Sequence, residues 1–448
     1  MSPYAAVSLI RRVRAAPILR PLGARDFRLL VGGSVVSLIG DGFFYVALAW
    51  QVYEISNVPS ALSLVGVAWT LPMVFLLLLG GAFSDRYDRR RLMIGADVIR
   101  AVAIGLIAIL SVTEILELWH VAALIAFVGI GDAFFNPASS AIVPDLLPAD
   151  RLPAANALAG MYRPLTFRLV GPALAGFTVA AVGPGAAFGI DALTFLVSAV
   201  AVWGIRTRPA ARPVGRMTPR TTAYEVAEGL RFVRGQAWIW ATLVSAMLSL
   251  LVFLGPVEVL VPFLVKNRLN LGPEALGAIF AAGGVGSIAM AAVIGQRGLP
   301  RRRMTVMYAA WSSGVAIMAV YGLMTDLWQA IVASALTHAL FQLGQVIWTT
   351  QLQQRVPRTL LGRVSSLDWL VSTGLVPVSY ALTGPAAGLF GPETTMVGAA
   401  LVGAVFMFML LFVPGVRDPD RDPIDPEASS TRPDPGGGGA TEAPASGS

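Results

Sequence analysis

The chain has 448 residues, of which 56% are hydrophobic and 13% are charged, about half the charged share of an average soluble domain. This composition excludes an ordinary soluble globular protein, and ~12 membrane-spanning helices of ~20 residues each would use a little over half of the chain. The net charge of +7 does not indicate nucleic-acid binding, because the basic residues lie between apolar runs rather than on one soluble face.

The first half of the chain contains six apolar stretches long enough to cross a bilayer. An arginine-rich segment, 1–28, precedes them and is predicted to be a retained cytoplasmic arm, because the first stretch contains Asp41 and no cleavage site is evident. We predict an N-terminal six-helix bundle over 29–205. Its spans lie near 29–53, 55–84, 92–111, 118–138, 157–182 and 186–203.

A polar and basic linker, 206–236, separates these spans from six more. We predict a C-terminal six-helix bundle over 237–413. Its charge-free runs cover 235–257, 275–296, 304–325, 327–354, 369–392 and 394–416. The remaining segment, 414–448, is rich in Pro, Gly and Asp and is predicted to be a disordered cytoplasmic tail.

The basic residues between spans alternate from one side to the other. The arm, the linker and every second loop carry most of the 33 Lys and Arg residues, whereas the alternate connections carry only Lys266 and Arg268. By the positive-inside rule, both termini are expected in the cytoplasm. The sequence therefore predicts a multi-pass protein of the cell membrane.

The two halves share a spaced pattern. Pro144 precedes the proline of Gly171-Pro172-Ala173 by 28 residues, and Pro357 precedes the proline of Gly384-Pro385-Ala386 by the same 28. Chance in a glycine-rich chain is the alternative explanation. A true repeat predicts an all-α integral membrane fold in which twelve transmembrane helices form two six-helix bundles with pseudo-two-fold symmetry.

The loop after the second span, GGAFSDRYDRRRLM, resembles the signature loop of the major facilitator superfamily, G-x-x-x-D-R-x-G-R-R. The matching residues are Gly81, Asp85, Arg86, Arg89 and Arg90. Asp88 stands where that pattern has its second glycine. Gly81 is expected to permit close helix approach. The resemblance implies that Asp85 docks near 365–368, at the start of span eleven, and stabilises one access state.

Residues 128–158, GPALAG at 171–176 and FGIDALTFLVSA at 188–199 resemble the branch of enterobactin exporters and macrolide efflux proteins. This resemblance implies a secondary transporter that exports a small amphiphilic compound, such as an antibiotic or siderophore, by proton-coupled alternating access. Helix-packing roles are expected for Gly171, Pro172 and Gly176. Span four lacks the arginine of the proton-antiporter signature, so an uncoupled facilitator or importer stays open. A lysophospholipid flippase, a non-transporting receptor and the permease partner of an ATPase are further alternatives.

Ionisable residues within the spans are the second source of functional candidates, because a charge near the bilayer centre costs ~2.5–3.5 kcal/mol and needs a wet cavity or a partner. Asp41 is the favoured proton carrier, since a carboxylate can bind a proton while desolvated and release it when wetted. Asp132 is the next candidate, with a salt bridge to Arg163 or Arg168 as the alternative. Glu258 is the third proton-coupling candidate, and its alternative roles are to attract cationic substrates or to snorkel to the interface.

The other embedded residues receive structural or substrate-binding roles. Asp97 and Arg100 lie three positions apart on one helix face and are predicted to form an inner-gate pair. Asp191 is predicted to hold a helix end, and His338 to make a polar helix contact. Apolar walls with a few amides suit amphiphilic ligands, although aromatic belts explain such residues equally well. The substrate-pocket candidates are Phe44, Tyr45, Trp69, Phe341, Gln342 and Gln345.

Composition also bounds the chemistry. Cysteine is absent, and the chain has two histidines and one lysine, which leaves no thiolate metal site, P-loop or zinc-protease motif. We therefore expect no enzyme, no metal and no bound cofactor. The expected partners are a small-molecule substrate, protons and the lipid bilayer, but not nucleic acid, and the expected functional unit is a monomer.

Overall fold

The computed structural model describes residues 17–206 and 219–421, and regular structure in these ranges is helical. Twelve long helical segments, α1 to α12, follow one another in two groups of six. The first group is α1 Arg25–Ile55, α2 Pro59–Arg86, α3 Arg89–Val112, α4 Leu118–Leu146, α5 Leu152–Val182 and α6 Pro184–Trp203.

The second group follows a linker helix, Pro219–Arg234. It is α7 Ala237–Asn267, α8 Pro273–Arg297, α9 Arg303–Leu323, α10 Leu327–Arg355, α11 Arg358–Gly374 with Val376–Phe390, and α12 Pro392–Leu410. Within the described residues, eleven helices are long and apolar enough to cross a membrane. The exception is α11, which is interrupted at Leu375, immediately before a segment that carries Pro377 in its first turn. The all-α membrane fold is confirmed.

The alternating direction of the helices gives the bundle two ends. We call the end at which α1 begins and α12 finishes the basic end, because the Arg-rich connections lie there, and the other the opposite end. Prolines occupy the first turns of α2, α5, α6, α8 and α12, where a missing N–H costs nothing.

Small residues bring the two halves together. A Cβ at Gly277 of α8 would lie 2.5 Å from the backbone oxygen of Pro172 and 3.0 Å from the Cα of Gly176, both on α5. A Cβ at Gly384 of α11 would lie 2.8 Å from the Cα of Ser60 on α2. Only a glycine backbone allows approaches this close, so these contacts fix α5 on α8 and α2 on α11.

Hydrogen bonds reinforce the same contact at the opposite end. The Tyr53 hydroxyl of α1 donates to the backbone oxygen of Val259 on α7 at 2.6 Å, and this bond is buried. The amide side chains of Asn57 and Asn267 bond each other at 2.6 Å. The bundle is therefore held closed at the opposite end.

The predicted tail begins too early at residue 414. Val416 is buried, and Asp420 lies on the first turn of α9, where its carboxylate accepts from the backbone N–H groups of Met304 and Thr305 at 2.7 and 2.9 Å. Arg355 donates to the Pro419 carbonyl at 3.0 Å. Free N–H groups at a helix N-terminus attract a carboxylate, which orders residues 414–421. The rest of the predicted tail, 422–448, lies outside the described residues, as do residues 1–16 of the arm.

Candidate transport site

Two adjoining cavities lie between the halves, and they share Pro164 and Arg168 of α5 as lining residues. The cavity on the first half measures about 420 Å³ and contains the charged side chains of α1, α3, α4 and α5. The cavity on the second half measures about 540 Å³ and is walled by α7 to α12. Thr242 and Met407, near the basic ends of α7 and α12, line it. The central space therefore extends towards the basic end.

Asp41 faces the first cavity from the middle of α1, in the company of Asp132, Arg100 and Arg163. Among the described residues, its carboxylate takes part in no hydrogen bond or ion pair. Asp41 differs in this respect from Asp132, which shares the same wall. Asp41 is therefore the carboxylate of the first cavity that no other described side chain holds.

Arg100 is the centre of a buried ion cluster. Its guanidinium pairs with Asp97 of its own helix and, at 3.1 Å, with Asp132 of α4. The rings of Phe135 and Phe195 each lie 4.2 Å from the guanidinium carbon, so the charge is held between two aromatic faces.

Asp132 has a second partner, since the indole N–H of Trp69 donates to its other oxygen at 3.0 Å. The alternative of a salt bridge to Arg163 or Arg168 is therefore wrong, because α3 rather than α5 presents the guanidinium to α4. The sequence feature that could have indicated this pairing is Gly131, one residue before Asp132. A Cβ at Gly131 would lie 2.6 Å from the Cγ of Arg100, so the glycine makes room for the arginine.

Asp97 and Arg100 form the i,i+3 pair, but not at a gate. Asp97 is fully buried and Arg100 is 4% exposed within the first half. An inner gate needs a contact between the two halves, and this pair makes its contacts to α4 and α6 instead. The gate prediction is therefore wrong.

Asp191 also lies elsewhere than expected. It is fully buried, accepts from the Thr194 hydroxyl at 3.3 Å, and sits against Gly40, where a Cβ would overlap its carboxylate. It thus packs beside the middle of α1 rather than holding a helix end.

The helix α5 carries Arg163 immediately before an irregular turn and Arg168 within it. Residues Pro164–Val170 form a π-helical turn, in which the N–H of Gly171 donates to the oxygen of Thr166. Pro164 lacks an N–H and disrupts the regular bonding pattern. Gly171 lies against Gly42 of α1, where a Cβ would be 2.8 Å from the Gly42 Cα. The turn holds both arginines in the first cavity and Arg168 in both.

Glu258 lines the second cavity together with Arg168, from the opposite half. The two opposite charges act on each other across the central space. Glu258 therefore faces the cavity and does not snorkel to an interface. The Nδ1–H of His338 on α10 donates a 2.9 Å hydrogen bond to the backbone oxygen of Ser334, which is a contact within its own helix.

The predicted pocket residues divide between the two cavities. Phe44, Tyr45 and Trp69 line the first, where the ring of Tyr45 lies 5.3 Å from that of Trp69. The second is lined by Phe341, Gln342 and Gln345. Phe341 stacks on Phe253 at 5.7 Å. The structure brings both groups to one central space, on facing walls.

Sequence reasoning missed Asp368 as a cavity residue. It lies on α11 and lines the second cavity with Trp348, Trp369 and Phe341. The indole N–H of Trp348 is shared between its two oxygens, at 3.2 Å each. Asp368 was missed because the charge-free run that predicts this span, 369–392, begins at the next residue. Asp368 therefore falls at the boundary between the predicted loop and the predicted span.

Comparison with known proteins decides the family. Residues 16–435 match the sequence model described as transmembrane secretion effector, of the major facilitator superfamily. The chain belongs to this family.

Relatives of this transmembrane secretion effector include named efflux proteins. The multidrug efflux pump Tap of Mycolicibacterium fortuitum is 28% identical over 88% of this chain and 96% of its own length. Macrolide efflux protein A of Streptococcus pyogenes is 24% identical over 80% of this chain and 88% of its own. The resemblance to an efflux branch of the superfamily, read from residues 128–158, 171–176 and 188–199, is therefore confirmed.

Solved structures agree on the fold. The nucleoside transporter NupG superposes with a TM-score of 0.62 at 11% identity, covering 86% of this chain and 98% of its own. A bacterial homologue of the iron transporter ferroportin in its inward-facing state gives 0.62 at 14% identity, with the same coverage. At such identities the likeness concerns the fold alone.

The signature loop of this secretion effector is built differently from expectation. A Cβ at Gly81 would meet nothing, whereas one at Gly80 would overlap the Ala133 carbonyl of α4. The close approach that was assigned to Gly81 belongs to Gly80, because a one-residue step rotates the side chain by ~100°. Asp88 caps α3 by accepting from the Arg90 N–H at 2.9 Å, with φ of −60°, so no glycine is needed there.

The arginines of the loop have three different environments. Arg89 is buried, pairs with Asp145 at the end of α4, and donates to the Ala141 carbonyl at 2.9 Å. Arg90 donates to the last carbonyl of α6, that of Trp203, at 2.8 Å. Arg86 is exposed. The side chain of Asp85 lies outside the described residues, so its predicted latch stays a prediction.

Proposed function

We propose that this protein exports small amphiphilic compounds, such as an antibiotic or a siderophore, by proton-coupled alternating access in the cell membrane. The observation that carries the proposal is Asp41, a carboxylate that no described residue hydrogen-bonds, in a central cavity that is sealed at the opposite end. We assign the basic end to the cytoplasm by the positive-inside rule. Under that assignment, the cavity receives substrate from the cytoplasm. The efflux relatives support the direction and the drug-like substrate class.

The chemistry of the walls supports an amphiphilic ligand. Aromatic and aliphatic side chains form more than half of the lining of the second cavity, and polar side chains, among them Gln342 and Gln345, form the rest. Its volume of about 540 Å³ lies within the range of ~300–1,000 Å³ that drug-sized ligands occupy. A pocket of this kind selects by size and apolar area more than by a fixed hydrogen-bond pattern.

Coupling is assigned first to Asp41. Arg100 already pairs with Asp97 and Asp132. Asp41 has no bonded cation among the described residues, so a proton on its carboxylate would neutralise an uncompensated negative charge. Asp132 ranks second because Arg100 and Trp69 hold both of its oxygens. Glu258 ranks third because Arg168 already opposes its charge. Substrate binding and protonation would then bias two packed states in opposite directions.

Everted membrane vesicles test the proposal. Uptake of a macrolide and of a cationic dye is measured with and without an imposed pH gradient, in the native protein and in Asp41→Asn. We expect gradient-driven uptake in the native protein and its loss in Asp41→Asn, with exchange at equal pH retained. The matched control is Asp150→Asn, because Asp150 is an exposed carboxylate outside the cavity.

The alternatives give different outcomes in the same vesicles. Uptake that ignores the gradient identifies an uncoupled facilitator or importer, and uptake blocked by lysophospholipid but not by drug identifies a flippase. A receptor gives no flux. The permease partner of an ATPase requires ATP and that second chain. Unchanged gradient-driven uptake in Asp41→Asn removes Asp41 from the coupling role.

A further inference from the structure

We propose that Asp368, with the indole rings around it, binds the cationic group of a lipophilic cation in the second cavity. The inference rests on the proposed export function and names a substrate class for it. Asp368 contacts the cavity from α11, and the rings of Trp348, Trp369 and Phe341 line the same space. A carboxylate among aromatic faces is the environment that stabilises an organic cation.

The first step of the argument is the absence of a competing cation. Within residues 17–206 and 219–421, no arginine or lysine forms an ion pair with Asp368. Two other carboxylates that line the central space are held near guanidinium groups, whereas Asp41 of the first cavity has no bonded cation among the described residues. Asp132 pairs with Arg100, and Glu258 faces Arg168. Asp368 is thus the carboxylate of the second cavity to which no cationic side chain is bonded among the described residues.

The second step concerns the hydrogen bond from Trp348. Accepting one indole N–H does not require a charge, because an amide or hydroxyl oxygen would serve at a far smaller desolvation cost. The observed geometry shares that N–H between the two oxygens at 3.2 Å each. The bond therefore orients the carboxylate without neutralising it. An ionisable group kept at this cost within a membrane span normally has a functional partner.

The third step is the shape of the surroundings. Trp348 is 3% exposed and is fixed by an edge contact to the Trp238 ring at 6.0 Å. Trp369 is 50% exposed and next to Asp368 in the chain. The Trp348 ring is therefore held by packing, whereas the Trp369 ring is half exposed and leaves room for cationic groups of different size.

Equilibrium binding to the purified protein in lipid nanodiscs tests this assignment. The probes are radiolabelled tetraphenylphosphonium, which is a lipophilic cation, and triphenylphosphine oxide, which presents similar rings without the charge. We expect Asp368→Asn to weaken tetraphenylphosphonium binding by about tenfold or more, and to leave triphenylphosphine oxide binding within about twofold. Asp150→Asn should leave both probes unchanged.

Two further variants keep the test decisive if Asp368→Asn folds poorly. Asp368→Glu keeps the charge and should retain cation binding. Trp348→Phe keeps an aromatic ring at this position but removes the N–H that orients the carboxylate. It should weaken binding of tetraphenylphosphonium alone, and by less than Asp368→Asn does. Equal cation affinity in native protein and Asp368→Asn overturns the proposal. A parallel loss of both probes in a folded variant also overturns it, because the effect is then one of packing.

Binding is measured without a gradient, so the subsite and the proposed function fail separately. If cation binding depends on Asp368 but the vesicles show no transport, the export proposal is wrong and the subsite is supported. If export is driven by the gradient but cation binding does not depend on Asp368, the export proposal is supported and the subsite is wrong.

Discussion

The side-chain amine of Lys266 on α7 donates a 2.6 Å hydrogen bond to the backbone oxygen of Tyr53 on α1, and it lies 5.3 Å from the centre of the Trp50 ring. The chain's one lysine therefore ties the second half to the first at the opposite end. Alternating access requires this contact to break, because the same helices must separate there when the central cavity opens to that side.

Replacement of Lys266 by Met should shift the protein towards the state that is open at the opposite end. The lost contact is partly exposed to solvent, so we expect about 1 kcal/mol, or roughly a fivefold change in the ratio of the two states. Because the native chain has no cysteine, Ser63→Cys provides a single probe at a buried position of α2 beside Gly384. Its labelling by an impermeant maleimide should accelerate in Lys266→Met.

The control for this experiment is Ile115→Cys, in the connection between α3 and α4, where the side chain is 59% exposed in the closed state. Its labelling rate should not respond to Lys266→Met. Equal labelling of Ser63→Cys in both backgrounds would show that the lysine does not hold the closed state.

Substitution by alanine should destabilise the protein at one of the two adjacent glycines of the signature loop and have no effect at the other. Gly80→Ala places a Cβ on the Ala133 carbonyl, whereas Gly81→Ala meets open space. Overpacking of this kind costs ~1–3 kcal/mol, so Gly80→Ala should reduce folded yield and melting temperature, while Gly81→Ala should change neither. Thermal melting followed by size-exclusion chromatography makes the comparison, and equal melting of the two variants would contradict the assigned packing.

The buried pair between Arg89 and Asp145 should be strongly coupled. Both side chains are 7% exposed, and loss of one partner leaves an uncompensated charge that costs ~3–5 kcal/mol. Asp145→Leu should therefore lower the melting temperature more than the double variant Arg89→Met with Asp145→Leu. Arg91→Ala is the control, because the Arg91 side chain is 88% exposed. If the effects of Arg89→Met and Asp145→Leu on the melting temperature simply add in the double variant, the coupling is refuted.

The short segment after α12 should contribute to the stability of α9. Asp420 accepts two backbone N–H bonds and the Thr305 hydroxyl, at 2.7 to 2.9 Å. Asp420→Ala removes a helix cap worth ~0.5–2 kcal/mol and should lower the melting temperature. Asp418→Ala, at a side chain that is 66% exposed, should have little effect. A melting temperature unchanged by Asp420→Ala would exclude the capping role.

The sequence by itself determined the number of spans, the side that carries the basic connections, the division into two halves and the family. These properties follow from hydropathy, charge and local motifs, which are read along the chain. It also drew attention to Asp41, Asp132 and Glu258, because a charge among apolar residues is conspicuous without a structure.

The tertiary structure alone decided which side chains meet. Hydropathy does not report the rotation of a helix about its axis, and a step of one residue turns a side chain by ~100°. That rotation gives Asp132 the guanidinium of Arg100 instead of one from α5, and assigns the close contact to Gly80. It also aims Asp368 of the interrupted helix α11 into the cavity. Partner choice is a property of how helices cross, and the crossing is fixed by packing across the whole bundle.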